Sequence, residues 1–163
     1  MRRVVSILPG MLGKGPELAS EGGKTMVGPI QPGWIWIGWI TLIALVLYLG
    51  TCMGVARTRR RHKISPPAMT GHPELERALR VQANTLEQLV PFLVALWLGA
   101  RFFELLPTAI LGVIWLAGRL LYAFGYYRAA EGRLPGFMIS MLALVALIVC
   151  AAIGLVRTQM VLG

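Results

Sequence analysis

Four long apolar segments dominate the chain, and they differ in where polar residues interrupt them. Residues 34–56 and 134–156 contain no charged residue, and each is long enough to cross about 30 Å of hydrocarbon as an α-helix. Residues 75–100 and 106–127 are of similar length, but each has charged and polar positions toward one end. The pattern predicts an all-α integral membrane protein, a bundle of four transmembrane helices with short connections.

The polar positions in the second and third segments recur at helical spacing. The first stripe is Arg77, Arg80, Asn84 and Glu87, and the second stripe is Arg119, Tyr122 and Tyr126. At about 100° of rotation per residue, each stripe falls on one side of its helix. A charged side chain in a bilayer costs about 2.5–3.5 kcal/mol even on the lenient insertion scale. We therefore expect both stripes to turn inward and to form a site.

The basic residues predict how the helices are oriented. Five of them follow the first segment, namely Arg57, Arg59, Arg60, Arg61 and Lys63, and Arg128 and Arg133 follow the third. By the positive-inside rule both connections face the cytoplasm. The second helix then leaves the cytoplasm and the third returns to it, so both stripes lie at the same depth. This predicts one shared cavity near the cytoplasmic surface, and we expect Arg128 to anchor at the headgroups.

Composition supports the membrane interpretation and narrows the partners. The chain is 56% hydrophobic and 14% charged, whereas about 25% of the residues of a soluble domain are charged. The net charge of +9 is not arranged as a basic stripe with exposed aromatic residues, so no nucleic-acid partner is expected. Cys52 and Cys150 lie in separate apolar segments and are expected to pack as free thiols. His62 and His72 are interpreted as isolated, solvated loop residues, so no metal site is expected.

The two ends of the chain are predicted to be tails. Residues 1–33 are rich in glycine and proline without helical period, which indicates either a mobile tail or an overlong start with Met26 as the true first residue. No cleaved signal peptide is expected, because no long apolar region or small-residue cleavage site follows Arg2 and Arg3. Residues 157–163 are predicted to form a short C-terminal tail.

The side chains of the stripes suit a small anion or zwitterion. Arginine binds carboxylates and phosphates with two parallel hydrogen bonds, Glu87 can pair with an amine, and the tyrosines supply hydroxyl groups. Glutathione, with two carboxylates, an ammonium group and a thiol, fits this set, and phosphorylated headgroups fit the arginines nearly as well. A purely structural alternative stays open, in which Arg80, Asn84 and Glu87 form polar contacts that only stabilise the packing of the helices.

Three stretches of the sequence resemble the MAPEG superfamily, the membrane-associated proteins of eicosanoid and glutathione metabolism. ELERALRVQANTLEQLVPFLVALWLGARFF resembles the second-helix signature of the family, GRLLYAFGYYRAAEGRLPGFMIS its third helix and following loop, and RRRHKISPPAMTGHPELER its first loop. The resemblance runs without gaps over residues 59–140 and is closest to the leukotriene C4 synthase and microsomal glutathione transferase branches.

The resemblance implies a homotrimer with glutathione, as co-substrate, bound between neighbouring subunits. It implies a set of glutathione-binding residues: Arg59, Arg80, Gln82, Asn84, Glu87, Arg119, Tyr122 and Tyr126. Arg77 would support them, and Arg133 matches the arginine that stabilises the thiolate in catalytic members. Gln88 departs from the leukotriene C4 synthase branch, which has a tyrosine there, so weaker glutathione binding is expected.

The expected function is a membrane-bound glutathione transferase, acting on hydrophobic small-molecule or lipid electrophiles and open to peroxidase activity as well. The expected location is a bacterial inner membrane, with the site on the cytoplasmic side. The alternative is a non-catalytic lipid-binding or scaffolding protein of the same fold. A transporter or channel subunit is disfavoured, because residues 89–100 offer no polar path to the outer face.

Overall fold

Four long helices make up the part of the chain that the structure describes. The structure is a computed structural model that describes residues 32–163, and within that range it contains no β-strand. The helices are α1 (Pro32–His62), α2 (Pro73–Phe102), α3 (Leu105–Arg128) and α4 (Leu134–Leu162), and a short 3₁₀ helix, Ala130–Arg133, lies between α3 and α4. The choice between Met1 and Met26 as first residue, and nearly all of the predicted N-terminal tail, lie outside the described residues.

The first helix is longer than predicted. It continues to His62, so Arg57, Arg59, Arg60 and Arg61 belong to its last turns and not to a loop. Arginine is a good helix former, and cations near a helix C-terminus interact favourably with its unpaired carbonyl groups. The charges therefore extend the helix that they were expected to end.

The second and fourth helices also differ from the predicted bounds. Pro73 occupies the first turn of α2, where its missing N–H costs nothing. The ring of His72 caps this helix by accepting a hydrogen bond at Nδ1 from the Glu74 backbone N–H, at 3.2 Å. The α2 helix continues through Pro91. At the other end of the chain α4 runs to Leu162, so most of the predicted C-terminal tail is helical.

Three of the helical segments are long and apolar enough to cross a membrane: Gly33–His62, Leu105–Arg128 and Glu131–Leu162. The α2 helix is equally long, but charged residues run through its first half. A membrane span for α2 depends on covering that charged face, so the fourth crossing stays a prediction.

The main core lies where all four helices meet. Buried residues of each helix contribute to it, including Ile37, Phe92, Trp115 and Leu147. The rings of Phe92 and Trp115 stack with centroids 3.8 Å apart and an angle of 6° between their planes. Trp115 is therefore a packing residue that ties α3 to α2. Cys52 and Cys150 are both free, as expected.

Glycines allow the backbones of α3 and α4 to approach closely. A Cβ atom on Gly118 would lie 2.6 Å from the backbone nitrogen of Ser140, and one on Gly136 would collide with the backbone of Tyr122. Gly125 faces the carbonyl group of Gly132 in the same way. These contacts hold the 3₁₀ helix, and with it Arg133, beside the end of α3.

We predict that Gly118→Ala will destabilise the protein by about 1–3 kcal/mol, because the added methyl group forces α3 and α4 apart. Gly50→Ala in α1 is the matched control, since a Cβ there meets no other part of the described chain within 4 Å, and alanine favours a helix by about 0.5–1 kcal/mol over glycine. Thermal unfolding of the detergent-purified variants checks this. Equal melting temperatures for the two variants would show that the close approach does not limit stability.

Candidate functional site

The second stripe lies inside the bundle. Arg119 and Tyr122 are fully buried, and Tyr126 is 7% exposed. All three side chains project from the same face of α3, as their spacing predicted. The second half of this helix therefore places a cation and two phenols in the protein interior.

Arg119 is held by α2 and by its own helix. Its Nη2 donates to Thr85 Oγ1 at 2.7 Å, and that hydroxyl group donates in turn to the Val81 carbonyl at 2.6 Å. The guanidinium carbon lies 4.2 Å from the centroid of the Tyr122 ring. Within the described residues, Nε and Nη1 of Arg119 have no hydrogen-bond partner. A buried charge with so few partners makes Thr85 and Tyr122 costly to replace.

A hydrogen bond joins the two stripes. Asn84 Nδ2 donates to the Tyr122 hydroxyl group at 2.5 Å. This contact brings the first half of α2 beside the last half of α3, as the predicted topology requires. The two stripes thus lie at one depth in the bundle.

Asn84, Arg119, Tyr122 and Tyr126 form a polar row, and Arg133 extends this row to the turn between α3 and α4. Its Nη1 donates to the Tyr126 hydroxyl group at 3.3 Å, and its guanidinium carbon lies 5.5 Å from the centroid of that ring. The Tyr126 and Tyr122 rings are 5.7 Å apart. Arg133 is otherwise exposed, so most of its donors are free to bind an anion.

Part of the first stripe does not turn inward in the single chain, contrary to the prediction. Arg80 and Glu87 are exposed, while Arg77 and Asn84 are half-buried. Neither Arg80 nor Glu87 forms a salt bridge with another described residue. The inward face of α2 is the adjacent one, formed by Ala78, Val81, Thr85 and Gln88. Its members are smaller or uncharged, so they pack against the other helices at lower cost.

Three further candidates contact other parts of the molecule. Gln82 donates to Cys52 Sγ on α1 at 3.2 Å. Arg59 is half-buried in the last turns of α1. Arg77 lines a cavity of about 260 Å³ together with four other residues: Thr58, Arg61, Glu74 and Tyr127. The single chain therefore brings together Asn84, Arg119, Tyr122, Tyr126 and Arg133, and it leaves Arg59, Arg77 and Gln82 outside that row.

Thr85 accepts a hydrogen bond from Arg119 in the candidate site, but it was not among the residues predicted from the sequence. Its spacing carried a signal, because Val81, Thr85 and Gln88 follow one another at four and three residues and so share a helix face. Gln88, treated only as a departure from a related pattern, is buried on this same face. The prediction gave weight to the arginines of α2 and none to the uncharged side chains of Thr85 and Gln88.

His62 and His72 are not isolated, which corrects a second expectation. Their rings stack with centroids 3.5 Å apart, and His62 Nε2 lies 2.9 Å from Glu74 Oε2. The unpredicted last turns of α1 carry His62 to the end of the helix, where the connection returns His72 to it. Ten residues separate the two histidines along the chain, and this separation concealed their proximity.

The geometry defines a class: a small helical membrane protein with a row of arginine, tyrosine and asparagine side chains near one end of its bundle, of which Arg119, Tyr122 and Tyr126 are buried. The sequence model of the MAPEG family matches residues 37–153. The chain therefore belongs to the MAPEG family. The match extends the resemblance over residues 59–140 into the first and last helices.

Individual relatives support the same assignment. An uncharacterized protein of Synechocystis is 47% identical over 121 residues, which cover 74% of this chain and 88% of the relative. Human microsomal glutathione S-transferase 2 is 35% identical over 123 residues, covering 72% and 84%. Leukotriene C4 synthase of Cavia porcellus is 39% identical over 116 residues, covering 71% and 77%. Relatives from the glutathione-related transferases of the family thus align with most of this chain's length.

We predict that Thr85→Val will destabilise the protein by about 1–3 kcal/mol, because it leaves the buried Arg119 without its hydroxyl acceptor. Thr51→Val is the control: Thr51 is also buried, but among residues 32–163 its hydroxyl group bonds only the Tyr48 carbonyl of its own helix, at 2.6 Å. Thermal unfolding in detergent should show a clear loss for the first variant and little for the second. Similar losses would mean that the Arg119 contact adds nothing beyond hydroxyl burial.

Proposed function

We propose that this protein is a glutathione transferase that joins the glutathione thiolate to lipophilic electrophiles at the membrane. Membership of the MAPEG family, with transferases among its relatives, supports the class of reaction. The contact of Arg133 with Tyr126 carries the proposal for this chain. It fixes an arginine beside the polar row while leaving most of the guanidinium group exposed to a ligand.

Arg133 would act on the thiol. A cation within about 4–6 Å favours the charged form of an acid and lowers its pKa by roughly 1–3 units. The thiol proton would pass to solvent, and the resulting thiolate is the nucleophile. Its sulfur would form a bond to the electrophilic carbon while the leaving group departs with its electron pair. The same thiolate would also suit reduction of a lipid hydroperoxide: its sulfur would take the terminal oxygen, and the lipid would leave as its alcohol after gaining a proton. A second glutathione would then displace water from the resulting sulfenic acid to form the disulfide.

The first stripe would bind the rest of the tripeptide. Arg80 and Glu87 present opposite charges from one face of α2, with Asn84 between them in sequence. Arg80 would bind a carboxylate and Glu87 the ammonium group. Arg59, Gln82, Tyr122 and Tyr126 are proposed as further contacts. Arg119 is enclosed by Thr85 and Tyr122, so we assign it a bracing role, and we assign Arg77 a supporting one.

The exposure of Arg80 and Glu87 supports a site between subunits. A charged face left against lipid would cost about 2.5–3.5 kcal/mol for each charge. A neighbouring copy that covers this face would remove the cost and would enclose the bound peptide. We therefore propose that neighbouring subunits cover this face and that α2 is the fourth membrane span of each subunit. The resemblance to the MAPEG superfamily implies that the assembly is a homotrimer. We place the site on the cytoplasmic side of a bacterial inner membrane, because the basic ends of α1 and α3 lie on that side by the positive-inside rule.

We predict that Arg133→Ala will lower turnover roughly 10²- to 10³-fold while leaving glutathione affinity nearly unchanged, because the donor acts on the developing thiolate. The assay is conjugation of glutathione to an aryl halide by detergent-purified protein, with binding measured by calorimetry. Arg128→Ala is the matched control, since Arg128 is an exposed arginine at the end of α3. Unchanged turnover in the Arg133 variant would remove the thiolate assignment.

We predict that Arg80→Ala will weaken glutathione binding about 10- to 100-fold, the worth of a charge-assisted hydrogen bond to a carboxylate. Arg60→Ala, which removes an exposed arginine from α1, should leave the affinity as it is. The dissociation constants come from the same calorimetry. An unaltered constant in the Arg80 variant would return the first stripe to a purely structural role.

A second candidate is a non-catalytic lipid-binding protein of the same fold. An apolar groove of about 770 Å³ lies between the first halves of α1 and α3, and it is lined by residues that include Trp36, Trp39, Leu106 and Ile110. The groove lies toward the opposite end of both helices from Arg133. A wild-type protein that binds a fluorescent fatty acid but transfers glutathione to no electrophile would favour this function.

A further inference from the structure

Three metal-binding side chains meet where α1 ends and α2 begins. His62, His72 and Glu74 each offer a nitrogen or oxygen atom, and these atoms all lie within 4.8 Å of one another. None of the three belongs to the proposed glutathione site. The contacts within the cluster are a hydrogen bond of 2.9 Å from His62 to Glu74, the stack of the two imidazole rings, and the bond from the Glu74 backbone N–H to His72 Nδ1.

The backbone holds two of these side chains firmly. His62 is the last residue of α1 and Glu74 lies in the first turn of α2, so helical backbone sets both Cα positions. The His62 side chain is 20% exposed and the Glu74 side chain 41% exposed. The cluster is therefore partly shielded but open to a small ion from solvent. Arg61 is the charged neighbour, with Nη1 at 3.6 Å from Glu74 Oε2, and its side chain is 74% exposed and can swing away.

The separation of the ligand atoms suits one small ion. Zinc binds imidazole nitrogen and carboxylate oxygen at roughly 2.0–2.2 Å, which places tetrahedral ligand atoms about 3.3–3.6 Å apart. The atoms in this cluster need to close by about an ångström from their widest spacing to reach that geometry. Two imidazoles and one carboxylate also select zinc and similar borderline ions over magnesium and calcium, which prefer oxygen ligands.

We propose that His62, His72 and Glu74 bind one divalent ion of the zinc class, with water completing the coordination. Binding through Nε2 gives up the hydrogen bond from His62 to Glu74, and the neutral His62 ring then carries its proton on Nδ1. The His72 ring must turn its free electron pair toward the ion, which opens the stack and gives up its bond to the Glu74 N–H. Three metal–ligand bonds replace three contacts: the His62–Glu74 hydrogen bond, the ring stack and the bond from the Glu74 N–H to His72.

Such an ion would fasten α1 to α2 at their joint. Arg59 lies one turn before His62, and Arg77 lies one turn after Glu74. A bound ion therefore fixes the distance between the basic end of α1 and the start of the first stripe. This role is independent of the proposed transferase chemistry, and a binding measurement tests it without any assay of turnover.

The experiment is a zinc titration of the full-length protein against a chromogenic chelator, in detergent, after purification through a tag that contains no histidine. We expect one saturable site per chain, and we expect magnesium at the same concentration not to compete. Co²⁺ should add visible d–d absorption bands typical of a four-coordinate site.

Two substitutions test the ligands while preserving the fold. His72→Asn removes the imidazole but keeps a preferred helix-capping acceptor, and Glu74→Gln keeps a hydrogen-bond partner for His62. Each should weaken zinc affinity at least about tenfold and abolish the cobalt bands. Glu76→Gln is the matched control, since Glu76 is an exposed carboxylate in the same first turn of α2.

The outcomes are decisive in both directions. Loss of affinity in His72→Asn and Glu74→Gln, with Glu76→Gln like the wild type, supports the site. Absence of saturable zinc binding in the wild type overturns it. So does equal affinity in all variants, which would place any bound zinc at other groups such as Cys52. An equal loss for Glu74→Gln and Glu76→Gln would reduce the effect to general charge attraction, and that also overturns the proposal.

Discussion

The buried guanidinium group of Arg119 constrains the rest of the bundle. A charge enclosed by apolar helices needs partners at fixed positions, because an unpaired one costs far more than a lost packing contact. Thr85 on α2 and the Tyr122 ring supply those partners. Together they set how α2 and α3 lie against each other. With that alignment given, Asn84 reaches the Tyr122 hydroxyl group, and the polar row follows.

The turn between α3 and α4 contributes the other half of the arrangement. Arg133 stands at the end of the 3₁₀ helix, where Gly125 and Gly132 allow the two chain segments to approach. Tyr126 then holds the Arg133 guanidinium group by its hydroxyl group and its ring. One arginine is thus buried as a support and another is held at the surface with free donors. The proposed chemistry needs both, one for rigidity and one for contact with an anion.

The sequence predicted the helices from the length and periodicity of the apolar segments. It predicted the common depth of the stripes from the opposite directions of the second and third helices. It did not predict which face of α2 turns inward. Arg80 and Thr85 each share a face of α2 with other polar residues at helical spacing. Because an exposed charge in a bilayer is costly, the prediction turned the face of Arg80 inward, and in the single chain the face of Thr85 is the buried one. Whether a second subunit covers Arg80 is a property of the assembly, which spacing within one chain does not encode.

The end of α1 shows a different limit of sequence reasoning. Counting basic residues locates the membrane boundary, but it does not tell whether those residues are helical. Because Arg57 to Arg61 prolong the helix, the connection is shorter than expected, and His62 meets His72 and Glu74. The path of a connection depends on where both flanking helices stop. Because the predicted end of α1 was six residues too early, the proximity of His62, His72 and Glu74 was not predicted.

The glycines between α3 and α4 also decide how the molecule can move. Where the backbones at Gly118 and Gly136 leave no room for a methyl group, the two helices cannot slide past each other without breaking contact along their length. They should behave as one rigid body. Arg119 on this pair also holds α2 through Thr85, so the polar contacts between α2 and α3 keep their geometry. Arg119 and Arg133 are therefore carried by one rigid pair of helices and the turn between them, so the spacing of the buried guanidinium group and the exposed one stays constant.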